Sequence, residues 1–186
     1  MALFNQKLEK PITIKLIGLG GQGVVTTAAL LARAAFQQGS WSQAMPFFGV
    51  ERTDTPVEAY VRLANQPIRN RQKIEQPDIL LINDYKLYKN NDHGRQLTII
   101  NQPGTITYRP DTHLLIYDSR QISLDIFGQD LAIGLLGGLN AVWPFITEKN
   151  WFKAIREHFA NPLIIQKNQQ AFFANQELAA KIIHRI

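Results

Sequence analysis

A glycine-rich turn near the start of the chain has the residue types and spacing that bind anions. The sequence GLGGQG begins at Gly18, and Gly20 and Gly23 complete the pattern GxGxxG, with Gly21 and Gln22 inside it. Because glycine lacks Cβ, an anion can approach the amides at the start of the following helix, where unpaired N–H groups and the helix dipole favour phosphate or carboxylate. The Gln22 amide could donate to and accept from the same ligand, or Gln22 could serve only at the N-terminus of the helix. Alternatively, these residues only allow the helix to pack closely on the strand before it.

A dinucleotide-binding enzyme would carry an acidic residue roughly 20 positions after the glycines, where it binds the ribose hydroxyls. The corresponding segment reads SWSQAM from Ser40 to Met45 and contains no carboxylate. The first acidic residue after the turn is Glu51. The sequence therefore argues against an NAD- or flavin-dependent dehydrogenase.

A second candidate for ligand binding is the pair Glu51 and Arg52. The pair follows Phe47 and Phe48 and precedes Pro56, so it is presented from an apolar loop. We expect Arg52 to contact a phosphate or carboxylate bidentately, with Glu51 orienting it. The alternative is a structural ion pair that anchors the loop at a subunit interface.

Several other polar residues support weaker interpretations. Arg62, Arg69 and Arg71 could extend a positive surface toward the phosphates of a ligand, or could be ordinary solvated arginines. Asp84 follows a buried strand, where it could contact a ligand or cap the next turn. The four histidines lack the spacing of metal ligands, and no serine lies in a GxSxG elbow. The chain contains no cysteine, so it supplies no thiolate to a zinc site or an iron–sulfur cluster.

The elements that would hold these residues alternate between strands and helices. An apolar β-branched run precedes the glycine turn, and alanines and leucines recur at helical spacing after it until Gly39. The predicted strands are Ile12–Ile17, Glu58–Leu63, Asp78–Asn83, Leu97–Asn101 and Leu114–Tyr117. The predicted helices are Val24–Gly39, Leu131–Phe145, Trp151–Phe159 and Gln166–Ile186, with Pro144 ending or bending the second.

This pattern predicts an α/β fold: a single Rossmann-like domain over residues 1–186, with a mostly parallel sheet and helices on both faces. The chain has 186 residues and is 45% hydrophobic, which fits one folded domain and argues against disorder. No apolar run is long enough to span a membrane and the polar N-terminus lacks a signal-peptide core, so we expect a cytoplasmic protein. The formal charge of +5 favours anionic ligands or acidic partners, but the basic residues are too dispersed to predict nucleic-acid binding.

Two motifs together carry a resemblance to a known family. GLGGQG at residues 18–23 and PFFGVERTDTPVEAYVR at residues 46–62 resemble the gamma subunit of 2-oxoacid:ferredoxin oxidoreductases, most closely the pyruvate branch. A weaker match involves the glycine-bearing helix at 134–138 and the terminal helix at 168–178. The resemblance implies a Rossmann-like subunit that is inactive alone.

The resemblance also implies what the other subunits would contain. Thiamine diphosphate, magnesium and iron–sulfur clusters would lie on companion subunits, while this chain would contribute subunit docking and part of a coenzyme A site formed by the glycine turn with Glu51 and Arg52. The assembly would convert pyruvate and coenzyme A to acetyl-CoA and carbon dioxide and pass electrons to ferredoxin or flavodoxin. This chain itself would hold no metal and supply no catalytic residue.

The sequence departs from the family pattern after the Glu-Arg pair, where it has Thr53, Asp54 and Thr55. The added carboxylate bears on the binding of a polyanion and on the preferred oxoacid. Two alternatives therefore stay open: the equivalent subunit of a branched-chain 2-oxoacid or indolepyruvate enzyme, and a stand-alone nucleotide-binding module with a regulatory role.

Overall fold

The computed structural model describes Leu8 and residues 10–47, 55–89 and 93–184. Seven strands, five α-helices and one 3-10 turn (Tyr85–Leu87) follow one another along these residues. The strands are β1 (Ile12–Leu19), β2 (Trp41–Phe47), β3 (Pro56–Ala64), β4 (Ile79–Ile82), β5 (Leu97–Asn101), β6 (Thr107–Arg109) and β7 (Leu114–Tyr117). The helices are α1 (Val24–Gln37), α2 (Ser119–Phe127), α3 (Ile133–Val142), α4 (Glu148–His158) and α5 (Pro162–Ile183).

The strands form one mixed sheet in the order β2-β3-β1-β4-β5-β7-β6. The central strands β1, β4, β5 and β7 are mutually parallel, whereas β3 and β6 run antiparallel to their neighbours. Short apolar runs such as ILLI in β4 are fully buried, as is typical of strands in the middle of a parallel sheet. The carboxyl ends of the four parallel strands therefore meet at one edge of the sheet.

The two faces of the sheet are covered differently. Alternate residues such as Ile14, Leu81 and Leu115 belong to one large apolar cluster that includes residues of α1, α3, α4 and α5, and α2 packs against it. On the opposite face, Ile17 and Leu80 belong to a separate, smaller cluster to which none of the described α-helices contributes. We call this second side of the sheet the open face, and its strand positions include Lys15, Ile17, Tyr60, Arg62, Leu80 and Ile100.

Glycines in α3 allow the helical layer to pack closely. A Cβ on Gly137 would meet the backbone oxygen of Phe172 and the backbone nitrogen of Gln176, both in α5. A Cβ on Gly138 would meet the ring of Tyr117, which lies in β7. The α3 backbone therefore approaches both the neighbouring helix and the sheet more closely than a side chain would permit.

The α/β class and the mostly parallel centre of the sheet, both predicted from the sequence, are confirmed. One part of the expectation differs, because the described α-helices all pack on one face instead of on both. The apolar runs of β4 and β5 look doubly covered because their second face is covered by connecting segments and the 3-10 turn. The strands β2 and β6 and the helix α2 were not predicted: β6 has three residues, and the residues of β2 do not alternate between apolar and polar.

Candidate functional site

The carboxyl edge of the sheet brings together the polar residues that follow its parallel strands. The glycine turn follows β1, Asn83 follows β4, Asn101 ends β5, and Asp118 follows β7. In open parallel sheets this edge forms the crevice in which ligands bind. The site is therefore positioned by the topology of the sheet and not by any one segment of the chain.

The glycine turn combines tight packing with an unusual backbone conformation. A Cβ on Gly18 would lie 2.6 Å from Val24 Cγ2 and 3.3 Å from Asn83 Cβ, so this position requires glycine for packing. Gly21 and Gly23 have φ angles of +89° and +69°, in the left-handed region that favours glycine. Gly18 thus supports the packing interpretation, whereas Gly21 is exposed at the turn with open space around it.

The start of α1 keeps the features that favour an anion. Gly23 is the N-cap residue, no side chain among the described residues caps the helix, and its first turn contains no acidic residue. The amide of Gly20 donates instead to Thr55 O at 2.9 Å, so that amide is already used within the protein. The unpaired amides at the helix start are where phosphate or carboxylate would be stabilised.

Gln22 is held by internal contacts. Its Oε1 accepts a hydrogen bond from the amide of Leu19 at 2.8 Å, and its Nε2 donates to Asp130 Oδ2 at 3.2 Å. Its backbone oxygen accepts from the amide of Ala132, just before α3. In this arrangement Gln22 fastens the glycine turn to the start of α3, and a direct contact between its side chain and a ligand stays a prediction.

Asp130 is the centre of a polar cluster beside the turn. Its Oδ1 accepts from Asn83 Nδ2 and Asn101 Nδ2, each at 3.4 Å. Burial raises the pKa of the Asp130 carboxyl above its usual range, which outweighs the lowering effect of the Asn83 hydrogen bond and the charge of Arg120. Asn101 Oδ1 also accepts a hydrogen bond from the backbone amide of Arg120, and Asn101 Nδ2 donates one to the Asn83 carbonyl. The cluster thus holds the ends of β4 and β5 together.

A small cavity of about 80 Å³ opens next to this cluster. Cations and carboxylates both line it, with Lys86 and Arg120 exposed on one hand and Asp84 and Asp130 on the other. Asn83 is 1% exposed, and its Oδ1 has no hydrogen-bond partner among the described residues. The cavity therefore offers two cationic side chains, and Asp130 and Asn83 in its lining contact Gln22 and Gly18 of the glycine turn.

The structure separates the other residues singled out from the sequence. Arg62 is buried on the open face, where its guanidinium donates to the Gln72 carbonyl, so the interpretation as a solvated surface arginine is wrong. Arg69 and Arg71 are exposed. Asp84 caps the 3-10 turn by accepting from the amide of Lys86 at 3.0 Å.

The predicted pair Glu51 and Arg52 lies outside the described residues, as do Thr53 and Asp54. Their roles in ligand binding stay predictions. The backbone oxygen of Thr55, the first described residue after them, accepts a hydrogen bond from the Gly20 amide.

Sequence reasoning missed Asp130, Asn83 and Asn101. Each Asn follows or ends a predicted buried strand, which is the signal that could have found them, and the same argument was applied only to Asp84. Asp130 lies in the short connection between α2 and α3. Its hydrogen-bond partners are 29 to 108 positions away in the sequence, so only the fold reveals these contacts. The described part of the chain has no group of three or more His, Cys, Asp or Glu side chains that could hold a metal ion.

Fold and site together define a Rossmann-like α/β module with a glycine turn at the carboxyl edge of its sheet. A family model described as pyruvate ferredoxin/flavodoxin oxidoreductase matches residues 13–175. Because that match spans most of the chain, the protein belongs to this family.

Individual relatives cover the chain almost end to end. It is 36% identical over 166 residues to the pyruvate synthase subunit PorC of Methanothermobacter marburgensis, covering 86% of this chain and 93% of that one. It is 47% identical over 172 residues to the pyruvate/ketoisovalerate oxidoreductases common subunit gamma of Pyrococcus abyssi, covering 86% and 92%.

Solved structures share the fold at lower sequence identity. The pyruvate oxidoreductase subunit PORC of Thermotoga maritima superposes with a TM-score of 0.75 at 23% identity, covering 91% of this chain and 97% of that one. A 2-oxoglutarate:ferredoxin oxidoreductase from Magnetococcus marinus, with 2-oxoglutarate, coenzyme A and succinyl-CoA bound, gives a TM-score of 0.74 at 17% identity. The match covers 93% of this chain but 32% of that longer one.

The identification of the chain as a gamma subunit of a 2-oxoacid:ferredoxin oxidoreductase is confirmed at the level of family and enzyme class. None of the described helices is both long enough and apolar enough to cross a lipid bilayer.

Proposed function

We propose that this chain is the gamma subunit of a pyruvate:ferredoxin oxidoreductase and that its carboxyl edge contributes contacts to coenzyme A. Companion subunits would carry thiamine diphosphate with magnesium and the iron–sulfur clusters, and ferredoxin or flavodoxin would accept the electrons. When bound, thiamine diphosphate supplies the carbanion chemistry of the oxoacid. This chain contains no cysteine and therefore offers no thiolate to an iron–sulfur cluster. Its proposed role is to bind and orient coenzyme A.

The observation that carries the coenzyme A proposal is the uncapped start of α1 beside a recess with two exposed cations. The helix start offers backbone amides to a phosphate, and Lys86 and Arg120 add side-chain charge in the adjoining cavity. Asp84 and Asp130 line the same cavity and oppose the charge of a polyanion there, so the two cations must compensate them. A structural relative with coenzyme A bound supports the same class of ligand.

The preferred oxoacid is proposed as pyruvate on the strength of the pyruvate synthase relatives. A relative described as common to pyruvate and ketoisovalerate oxidoreductases supports a second point: a gamma subunit need not decide between the two oxoacids. A branched-chain enzyme is therefore compatible with this chain, and companion subunits would set the preference.

The proposal is tested in two steps on the purified chain and on the enzyme assembled from all subunits. The chain alone should show no acetyl-CoA formation and no bound flavin, and mixing it with its companions should restore activity. Activity or flavin in the isolated chain, or failure to assemble with a thiamine-binding subunit, would overturn the subunit assignment and favour a stand-alone nucleotide-binding module.

The coenzyme A contact is tested by reversing the two cavity charges. In the assembled enzyme, Lys86→Glu with Arg120→Glu should raise the KM for coenzyme A by roughly tenfold or more, because charge-assisted contacts to phosphate are lost. The KM for pyruvate should stay unchanged. The control is Lys149→Glu, an exposed position in α4 on the helical side. An unchanged KM for coenzyme A would place its phosphates elsewhere.

A further inference from the structure

Within residues 10–47, 55–89 and 93–184 the open face is only partly covered, and its cover leaves a cavity. The connection from β3 to β4 crosses this face, since the Gln72 carbonyl accepts from Arg62 and Ile74 is buried. Between this connection and the residues before β5 lies a cavity of about 340 Å³. Its lining includes the exposed carboxylate of Glu75 together with Lys15, Ile17, Pro77, Leu80, His93 and Arg95. The cavity lies away from the glycine turn, toward the start of β4 and β5.

At one side of the cavity, the buried carboxylate of Asp78 is paired with the exposed guanidinium of Arg95. Asp78 is 6% exposed, and one of its oxygens accepts from both the amide and the hydroxyl of Thr13 at 2.7 Å. Arg95 reaches the other Asp78 oxygen at 2.9 Å while its side chain stays 57% exposed. The Asp78 carboxylate is therefore paired within the protein, whereas the Arg95 guanidinium stays partly exposed to solvent.

The same arrangement recurs around Glu58. Its carboxylate is held by Lys15 at 2.8 Å, by Lys73 at 3.6 Å and by the hydroxyl of Tyr60. Lys73 remains about half exposed and lies over the ring of Phe47, 4.9 Å from its centroid. Phe47 is itself about half exposed and packs edge-on against Tyr60. Lys73 and Phe47 therefore form an exposed cation–aromatic pair next to the Glu58 carboxylate, whose charge is compensated within the protein.

The rim of the open face has an excess of positive charge among the described residues. Arg69, Arg71 and Lys73 are exposed on the connection between β3 and β4, with Glu75 as the one exposed carboxylate of that segment. Strand alternation places Trp41, which is half exposed, on the same face at the start of the edge strand β2. Exposed aromatic rings and exposed cations, which are both common in protein interfaces, therefore lie on the same side of the sheet.

We propose that the open face docks an acidic segment of a companion subunit, with carboxylates of that segment facing the exposed cations Arg69, Arg71, Lys73 and Arg95. The cationic rim selects a partner that presents carboxylates, because opposite charges speed association and like charges are rejected. The exposed rings of Phe47 and Trp41 supply apolar area that a docked partner can shield from water. The proposal goes beyond the coenzyme A contact, which lies at the carboxyl edge.

A zero-length carbodiimide cross-linker tests this placement directly in the assembled enzyme, because it joins lysine amines to carboxylates in contact with them. Mass spectrometry should find Lys73 joined to Asp or Glu residues of a companion subunit. Lys149 and Lys153 in α4, on the helical side, should give no link to that subunit. Links from α4 with none from Lys73 would overturn the docking proposal while leaving the subunit assignment intact.

Charge reversal provides the second test. Lys73→Glu with Arg95→Glu should weaken association with the companion subunits by roughly tenfold or more, because the cationic rim then repels the acidic segment. Lys149→Glu with Lys153→Glu is the control of equal charge change. Circular dichroism and the urea midpoint of the isolated variants establish that they fold. Folded rim variants that assemble as tightly as the control would also overturn the proposal, whereas a parent chain that never assembles would overturn the proposed function itself.

Discussion

Glu58 shows how a single side chain on the open face depends on its neighbours. Burial by itself raises the pKa of its carboxyl, but the hydrogen bonds from Lys15 and Tyr60 and the charge of Lys73 lower it below its usual range. The ionised form is therefore the one that the folded state stabilises. This contribution is present above the pKa of the unfolded chain and is lost as pH falls through the lowered pKa of the folded state.

We expect Glu58→Gln to reduce the free energy of unfolding at pH 7 by roughly 1–3 kcal/mol, because Lys15 loses its charged partner in a partly buried position. The variant should also lose less stability than the parent between about pH 5 and pH 3. Urea denaturation across that range measures both effects. The matched control is Glu177→Gln, an exposed carboxyl in α5. Equal acid sensitivity in parent and variant would contradict the assignment.

At the same scale, Gln22 and Asp130 show why residue type alone did not define the site. A glutamine in a glycine turn was expected to face a ligand or serve the helix start. The structure uses both ends of its amide internally, on Leu19 and Asp130. What remains for a ligand is the backbone of the turn and the cations of the adjoining cavity.

At the scale of elements, the contact between α3 and α5 depends on glycine. We expect Gly137→Ala to destabilise the protein by roughly 1–3 kcal/mol, because the new methyl group would meet the α5 backbone, which cannot rotate away. This loss should exceed the gain in helix propensity that alanine normally brings. Thermal and urea unfolding measure it. A variant as stable as the parent would mean that the two helices can separate without cost.

The glycine turn makes the same point for the β1–α1 unit. Gly18 is required by the close approach of Val24 and Asn83, whereas Gly21 and Gly23 are required by positive φ angles. One motif thus combines a packing requirement with a backbone requirement. Its match to an anion-binding pattern reflects both.

At the scale of the whole molecule, one large cluster joins all the helices to one face of the sheet. The sequence predicts a single domain over residues 1–186, and this prediction can be tested by unfolding. Loss of tryptophan fluorescence and loss of far-UV circular dichroism should coincide in urea, because a continuous core unfolds cooperatively. Two separated transitions would show that the chain contains more than one folding unit.

The sequence alone determined the elements with strong periodicity, the α/β class and the family. Buried strands such as Ile79–Ile82 and the strand–turn–helix at Gly18 are encoded by contiguous residues, so local patterns suffice to find them. The motif that contains Arg52 is also a contiguous stretch of sequence, so it could be found without the structure. Its spatial contacts stay a prediction.

The tertiary structure decided which face of the sheet the helices cover, and what surrounds Asp130 and Arg62. Strand periodicity reports that a side chain is buried, but a loop and a helix bury it equally well, so the one-sided helical layer was not visible in the sequence. The Asp130 contacts join residues as far apart as 108 positions. Such distant neighbours are set by the order of the strands, and that order is the result of packing the whole chain.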